Sequence, residues 1–368
     1  MTRLSDLETP CLILDRDRLV KNIGRMRTAV DRLGVRLRPH LKTSKSVEVA
    51  KLFGGGGITV STLREAEYFA DAGISDITYA VGIAPGRLAR AARLVERGID
   101  LKILVDTPEA ARCAAESGVP FKTLIEVDCG DGRGGIVPDD PRLMETAAAC
   151  QKDGTTVLHG VLTHAGHSYG VADETAVARI AEDERQAVVR AAERLRDAGH
   201  AISTVSAGST PTALMSRDAT GLTEYRAGVF VFFDMDQQSR GVCQMDDLAL
   251  SVLTTVIGHN RSAGKILLDA GGLALSKDTG ANTFRPEVGY GAVCDLDAHP
   301  IDGLFVTSVS QEHGHVRLGG GHEFEDFPVG TRLRVMPNHA CMTAAAYDRY
   351  HVLNGDEPGA VWGRCNGW

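Results

Sequence analysis

Hydrophobic and polar positions fall into two textures along the chain. From residue 37 to about residue 230, short β-rich runs alternate with longer stretches rich in Ala, Arg, Glu and Leu. The apolar runs are "LRPHLK" (37–42), "ITVST" (58–62), "DITYAV" (76–81), "LKILVD" (101–106), "FKTLIEVD" (121–128), "LHGVLTH" (158–164), "STVSAG" (203–208) and "TEYRAG" (223–228). Between them, "REAEYFADAG", "PGRLARAARLVERG", "TPEAARCAAESG" and "AEDERQAVVRAAERLRDAG" carry apolar residues three and four apart and stop at Gly, the signature of amphipathic helices. Eight such units over about 200 residues predict a (β/α)8 TIM barrel in preference to an open doubly wound sheet. Beyond about residue 245, "LALSVLTTVIGHN", "KILLDAGG", "GLFVTSVSQEHGHVRL" and "TRLRVMPNHACM" read as strands separated by turns, with almost no helical period. The pattern therefore predicts a barrel over residues 12–244 and a C-terminal all-β domain over residues 245–368. Residues 1–11 and the strand-like "PCLILD" are expected to pair with that second domain.

Composition narrows the function. With 43% apolar and 24% charged residues over 368 positions the chain is an ordinary globular protein. Its net charge of -8 argues against nucleic acid or an anionic membrane as partner and favours a small-molecule ligand. The start "MTRLSDLETPCLILD" has no apolar stretch of signal-peptide length and no window reaches membrane-span length, so a cytoplasmic protein is expected. Eight cysteines without CxxC spacing suggest neither a disulfide framework nor a zinc ribbon.

In a barrel, residues at the C-terminal ends of strands face the active-site mouth, and here those ends are polar. A desolvated lysine at such a mouth, Lys42 or Lys45, would be nucleophilic toward a carbonyl; the competing reading is a plain salt bridge to a neighbouring carboxylate. "AGSTPTAL" (207–214) is a small-residue turn opening a helix, whose N–H groups, with the Ser209 and Thr210 hydroxyls, can bind an anion. "RAG" (226–228) offers a second close backbone approach. At the seventh and eighth strands these coincide with the usual phosphate position of barrels, and a phosphate there with a lysine on the first strand suits pyridoxal phosphate.

Arg133 lies in the Gly-rich "DCGDGRGG", from which a guanidinium can reach a ligand oxygen; it can equally be a surface residue. His164 and Tyr169 in "THAGHSYG" can stack on a cofactor ring and donate to its phosphate, or serve as hydrogen-bonded barrel-end residues. "PNHACMTAA" (337–345) sets His339 and Cys341 two apart; in an extended segment both side chains share one face and can hold a divalent ion, zinc being favoured by the sulfur. Most such pairs bind nothing. His313 in "QEHGHV" is a further ligand or proton carrier, or a satisfied turn residue.

Taken in order over nearly the whole chain, "RPHLKTSK", "STLREAE", "GDGRGG", "THAGHSY", "AGSTPTAL", "RAGVFVFFD", "QEHG" and "PNHAC" resemble the D-serine dehydratase and D-threonine aldolase family of fold-type III pyridoxal phosphate enzymes. Their motifs are most similar to the D-threo-3-hydroxyaspartate dehydratase branch. The resemblance implies a barrel of alanine-racemase type, a C-terminal β-domain, and a homodimer with active sites at the subunit interface. Lys42 matches the family's Schiff-base lysine and Lys45 no catalytic position. By the same matching Arg133 contacts the cofactor, and Tyr169, Gly208, Ser209, Thr210 and Gly228 surround its phosphate. His339 and Cys341 match the metal ligands, for Zn, Mg or Mn. The aldolases resemble this chain with His-x-Asp in place of His-x-Cys. Ser44 stands where many D-serine dehydratases have His, and Phe230 where relatives often have Tyr.

The implied activity is a pyridoxal 5'-phosphate- and metal-dependent dehydration of a D-β-hydroxy amino acid, such as D-threo-3-hydroxyaspartate or D-serine, to a 2-oxo acid and ammonia. Retro-aldol cleavage to glycine and an aldehyde is the rival reading. A non-catalytic pyridoxal phosphate-binding homeostasis protein would resemble the barrel alone, and the β-domain argues against it.

Overall fold

The computed structural model describes residues 4–151, 154–355 and 357–368. The first strand, β1 (Cys11–Asp15), is followed by the helix Arg16–Asp31 and then by eight parallel strands. These are β2 (Arg36–Pro39), β3 (Ile58–Val60), β4 (Asp76–Gly82), β5 (Asp100–Val105), β6 (Lys122–Val127), β7 (Val157–Thr163), β8 (Thr204–Ala207) and β9 (Glu224–Ala227). They run in the order β2-β9-β8-β7-β6-β5-β4-β3, and a bridge between His40 and Thr59 brings the two ends of the sheet together. This is the expected (β/α)8 barrel, each strand falling on one of the eight apolar runs.

The intervening helices begin where sequence chemistry places them. Thr62 accepts from Glu65 N at the start of Leu63–Asp71, Thr107 from Ala110 N ahead of Pro108, and Asp173 from Ala176 N ahead of the long helix Glu174–Asp197.

The barrel interior is layered. At the N-terminal ends of the strands, Arg38 binds Glu224 (Nε–Oε2, 2.8 Å) and Asp76 (2.8 Å), and Lys102 binds Asp76 (2.7 Å) and Asp100 (3.0 Å). Burial pushes the Asp76 carboxyl up, but hydrogen bonds from Arg38 and Lys102 outweigh it and hold the group at about 2. Gly57 must be glycine for this floor to close, because a Cβ there would lie 1.9 Å from an Arg38 nitrogen. Above the floor, Leu104, Leu124 and Leu162 form an apolar plug with Ala80. Polar side chains return at the C-terminal ends, where the candidate chemistry lies.

The remaining strands are β10 (Leu250–Asn260), β11 (Lys265–Leu268), β12 (Gly291–Cys294), β13 (Pro300–Val309), β14 (Gly314–Arg317), β15 (Arg332–Pro337), β16 (Arg349–Asn354) and β17 (Glu357–Gly363). With β1 they make a nine-stranded sheet in the order β11-β14-β13-β12-β15-β10-β1-β16-β17, so the C-terminal domain is mostly sheet. β1 is an interior strand of it, antiparallel to β10 and parallel to β16. Ile13 and Cys11 join Leu253 and Leu353 in one buried cluster.

The chain separates into two compact units, Met1–Gly24 with Val229–Arg364, and Arg25–Gly228 with Cys365–Trp368. The division at residues 24 and 228 differs from the expected 12 and 244. β1 is hydrogen-bonded into the sheet unit and draws the start of its following helix with it, while the barrel's last strand ends at Ala227. Cys365 N donates to Lys45 O at 2.9 Å, which returns the final residues to the barrel unit. Among the described residues no helix is long and apolar enough to cross a membrane.

Candidate functional site

In the barrel unit, Lys42 was expected to end the first strand and be desolvated. β2 instead ends at Pro39, His40 bridges to Thr59 and its N–H donates to Ala227 O at 2.7 Å, and Lys42 lies in a turn closed by Lys45 N donating to Leu41 O at 2.7 Å. Lys42 is exposed there. Lys45, by contrast, takes the salt-bridge role: at φ +48° its Nζ lies 3.3 Å from Oε1 of the fully buried Glu65.

Positive charge and burial around Lys42 keep two imidazoles neutral. Burial, then the charges of Lys42, Arg226 and His164, lower the His40 pKa well below the ordinary value. For His164, burial and the Lys42 charge dominate and lower it to about 3. His164 Nδ1 is 2.9 Å from Gly208 O, and a carbonyl only accepts, so Nδ1 carries the proton and Nε2 is bare. In this state His164 has no Nε2 proton for a phosphate, although its ring can stack. Tyr169 sits with its ring centroid 6.3 Å from that of His164, tilted by 39°.

Arg133 is largely exposed, with Nη2 3.5 Å from Glu126 Oε1. Its loop is shaped by Asp128, whose carboxylate accepts from Gly130 N (2.8 Å) and Gly132 N (3.1 Å). Burial raises the Glu126 carboxyl, against the pull of Arg133.

The 207–214 turn uses its polar groups inwardly. Gly208 N donates to Glu184 Oε1 (3.0 Å) and Ser209 N to Thr212 Oγ1 (2.9 Å), while Ser209 Oγ accepts from Thr212 N (3.2 Å) to cap the helix Thr210–Met215. The expectation that these two amides face an anion is therefore not met; both are committed within the fold. What Gly208 allows is close packing of the turn against the next strand: at φ +127° a Cβ would lie 2.4 Å from Arg226 O. Gly228 does the same on the next strand, where a Cβ would lie 2.8 Å from His40 O and 3.1 Å from Thr43 Oγ1. Thr210 is buried at the first position of the helix.

Two residues of this region escaped the sequence reading. Glu184, fully buried on Glu174–Asp197, accepts on Oε1 from both Ala165 N (2.8 Å) and Gly208 N, tying the 164–169 loop to the 207–210 turn. Burial raises its carboxyl. Arg226 donates to Ser206 Oγ (2.6 Å) and to Thr163 O, and burial lowers it to about 10 against the field of Glu224, Glu184 and Glu126. The signal for Arg226 was available: "TEYRAG" puts two charges two apart on a strand otherwise fit for a barrel interior.

In the sheet unit, β15 runs into the short helix Ala340–Ala344, with His339 as its N-cap residue. The segment is not extended at Cys341, contrary to expectation. His339 and Cys341 are brought near each other because the chain turns from strand to helix between them. The turn is clamped on both sides. Ala340 N donates to Asp234 Oδ2 (2.9 Å), Asp236 N to Asn338 O (3.0 Å), and Ala281 N to Asn338 Oδ1 (3.0 Å). His339 Nδ1 lies 2.7 Å from Asp278 Oδ2. Burial lowers the His339 pKa, but Asp278, Cys341 and Asp234 outweigh it and raise it to about 11. Imidazole and thiol side by side are a donor set suited to a soft divalent ion. His313 is exposed at the tip of the β13–β14 hairpin. Asp269 is satisfied within its own unit by Thr9, Thr254 and Thr255.

A cavity of about 490 Å³ opens at the other end of the barrel strands, lined by Arg27, Arg36, Arg38 and Glu224 among others. Its guanidiniums are engaged: Arg38 and Arg36 by Glu224, and Arg27 by the Leu52 carbonyl. The candidate chemistry is at the opposite ends of the strands.

Known proteins match this architecture throughout. The model of the alanine racemase N-terminal domain matches residues 14–236, and that of the putative serine dehydratase domain matches residues 249–353. D-threo-3-hydroxyaspartate dehydratase of Delftia sp. is 47% identical, with 99% of both chains covered. D-serine dehydratase of Dictyostelium discoideum is 30% identical over 96% of this chain and 95% of its own. 3-Hydroxy-D-aspartate aldolase of Paracoccus denitrificans is 30% identical over 97% of this chain and 92% of its own. The solved D-threo-3-hydroxyaspartate dehydratase from Delftia sp. HT23 superposes with a TM-score of 0.97 at 46% identity, covering 100% of both chains. A cysteine-to-alanine variant of D-threo-3-hydroxyaspartate dehydratase in its metal-free form superposes equally, with a TM-score of 0.97 at 46% identity and 100% coverage of both chains. The chain belongs to the alanine-racemase-like family of lyases that includes D-threo-3-hydroxyaspartate dehydratase and the D-serine dehydratases.

Proposed function

We propose that this chain is a pyridoxal 5'-phosphate- and divalent-metal-dependent dehydratase of D-β-hydroxy amino acids. D-threo-3-hydroxyaspartate is its first candidate substrate and D-serine its second. The observation that carries the reading is the His339–Cys341 pair, held together at a clamped strand-to-helix turn in a chain 47% identical to D-threo-3-hydroxyaspartate dehydratase over 99% of its length. The metal-free description of that relative's cysteine variant is consistent with a metal held in part by cysteine. The reading takes the protein to be a cytoplasmic homodimer.

The residues fit both groups. An exposed amine at Lys42, a guanidinium at Arg133 and the ring faces of His164 and Tyr169 suit a phosphorylated aromatic aldehyde. His339 and Cys341 suit zinc. When bound, the cofactor supplies an electron sink for the pair left by Cα–H cleavage, and the metal supplies a Lewis acid for the β-hydroxyl. Lys42 would hold the cofactor through its amine and, once displaced by substrate, accept the Cα proton. Arg226, buried and hydrogen-bonded to Ser206 and Thr163, stays in place beneath the mouth as a fixed cation. His164 and Tyr169 would cover the ring and shield the site from water.

The test is product analysis. Purified, cofactor-loaded protein is given D-threo-3-hydroxyaspartate, D-serine and D-threonine, with and without a chelator. Chelator-sensitive ammonia with 2-oxo acid supports the dehydratase. Glycine with an aldehyde would replace it with the aldolase reading.

A further inference from the structure

We propose that Asp278 is a positioning residue for the metal pair, fixing the imidazole of His339 so that Nε2 is the atom offered to the ion. The inference rests on the reading of His339 and Cys341 as ligands, and it names a residue outside that pair.

The carboxylate is held before it meets the histidine. Asp278 follows Ser276, which stands at φ +66°, and its N–H donates to Ser276 Oγ at 3.2 Å. Its Oδ1 accepts from Gly280 N at 3.1 Å, which leaves Oδ2 for His339 Nδ1 at 2.7 Å. Position 280 is tightly packed, because a Cβ there would lie 2.5 Å from Asp236 Oδ1 and displace that carboxylate. The same loop is tied to the metal turn a second time, through Ala281 N and Asn338 Oδ1. Asp278 thus belongs to a loop held by hydrogen bonds of its own before it meets the histidine.

Two consequences follow from hydrogen-bond chemistry. A carboxylate only accepts, so when an ion takes the place of one His339 proton the retained proton stays on Nδ1 and the lone pair is left on Nε2. The negative charge behind the ring makes that lone pair more basic and stops the ring from rotating, as carboxylates behind metal-bound histidines do. Asp278 Oδ2 is occupied by this bond, which makes it a partner of the ligand and not a ligand itself.

The experiment measures zinc affinity of the full-length, cofactor-loaded protein by equilibrium dialysis, with zinc X-ray absorption to count nitrogen, sulfur and carboxylate scatterers. Wild type, Asp278→Ala, Asp278→Asn and His339→Ala are compared, with thermal melting to confirm folding. Asp278→Ala is expected to bind about 10- to 100-fold more weakly, with the nitrogen and sulfur scatterers retained at saturation. Asp278→Asn, which keeps an acceptor for Nδ1–H, should lose less. A folded Asp278→Ala with wild-type affinity overturns the proposal, as does a carboxylate scatterer that this substitution removes. Should Asp278→Ala fail to fold, wild-type affinity in Asp278→Asn overturns it. Wild type taking up no zinc, or His339→Ala binding as wild type does, would overturn the metal reading itself.

Discussion

His164 and Gly208 are joined by a 2.9 Å hydrogen bond from the imidazole Nδ1 to the backbone carbonyl, at a point where burial and nearby cations hold the imidazole neutral. The bond links the loop after β7 to the turn after β8 and decides which histidine nitrogen is free.

The depressed basicity of His164 has a pH signature. Its pKa is 6.5 when unfolded and about 3 when folded, so between these values the unfolded chain binds more protons. Stability is therefore expected to fall as pH drops from about 6.5 toward 3, and His164→Gln should flatten that fall. Urea denaturation of both proteins at pH 7 and pH 5 checks it; parallel losses would assign the slope to other groups, His40 first.

Glu184→Ala should destabilise the barrel by about 2–5 kcal/mol, since it strands the Ala165 and Gly208 amides in a buried site. Glu184→Gln keeps one accepting oxygen and should cost less. Cofactor dissociation constants should follow the same order, because both loops carry candidate cofactor contacts. Fluorescence titration alongside denaturation tests this; equal cofactor affinity in all three would separate Glu184 from the site.

Gly208→Ala should cost about 1–3 kcal/mol from its positive φ and more from the 2.4 Å approach to the Arg226 carbonyl. Because that obstacle is backbone, no rotamer change relieves it. A denaturation midpoint equal to wild type would show that the turn re-forms.

Lys42→Ala and Lys45→Ala should part company. The first should remove the absorbance of lysine-bound cofactor and all turnover while leaving stability unchanged. The second should keep the absorbance and lose about 1–3 kcal/mol of stability, since it leaves the buried Glu65 carboxylate without its ion pair. The reverse pattern would assign the cofactor to Lys45.

Cys341→Gly and His339→Ala should abolish ammonia release while the cofactor absorbance persists, and a chelator should reproduce both in wild type. Turnover surviving metal removal would refute a catalytic metal.

How far the site was legible depended on whether its chemistry is local. The polar strand ends drew attention to Lys42, Arg133, His164 and the 207–210 turn, because strand period and helix caps are written in residues a few positions apart. Glu184 was not legible: on a long amphipathic helix one inward-facing glutamate looks like any surface acid until the helix packs against two loops. Asp278 was hidden in the same way, 61 positions from His339.

Local pattern by itself determined the eight barrel strands and their helices, the sheet-rich second half, and the inventory of reactive side chains. Only tertiary structure decided that β1 sits between β10 and β16, that the units divide at residues 24 and 228, that Gly208 and Ser209 turn their amides inward, and that Cys341 meets His339 through a helix turn. The reason is physical. Periodicity reports which face of an element is apolar, whereas the partner of a buried amide, carboxylate or imidazole is chosen by which distant group the packed chain brings within hydrogen-bond reach.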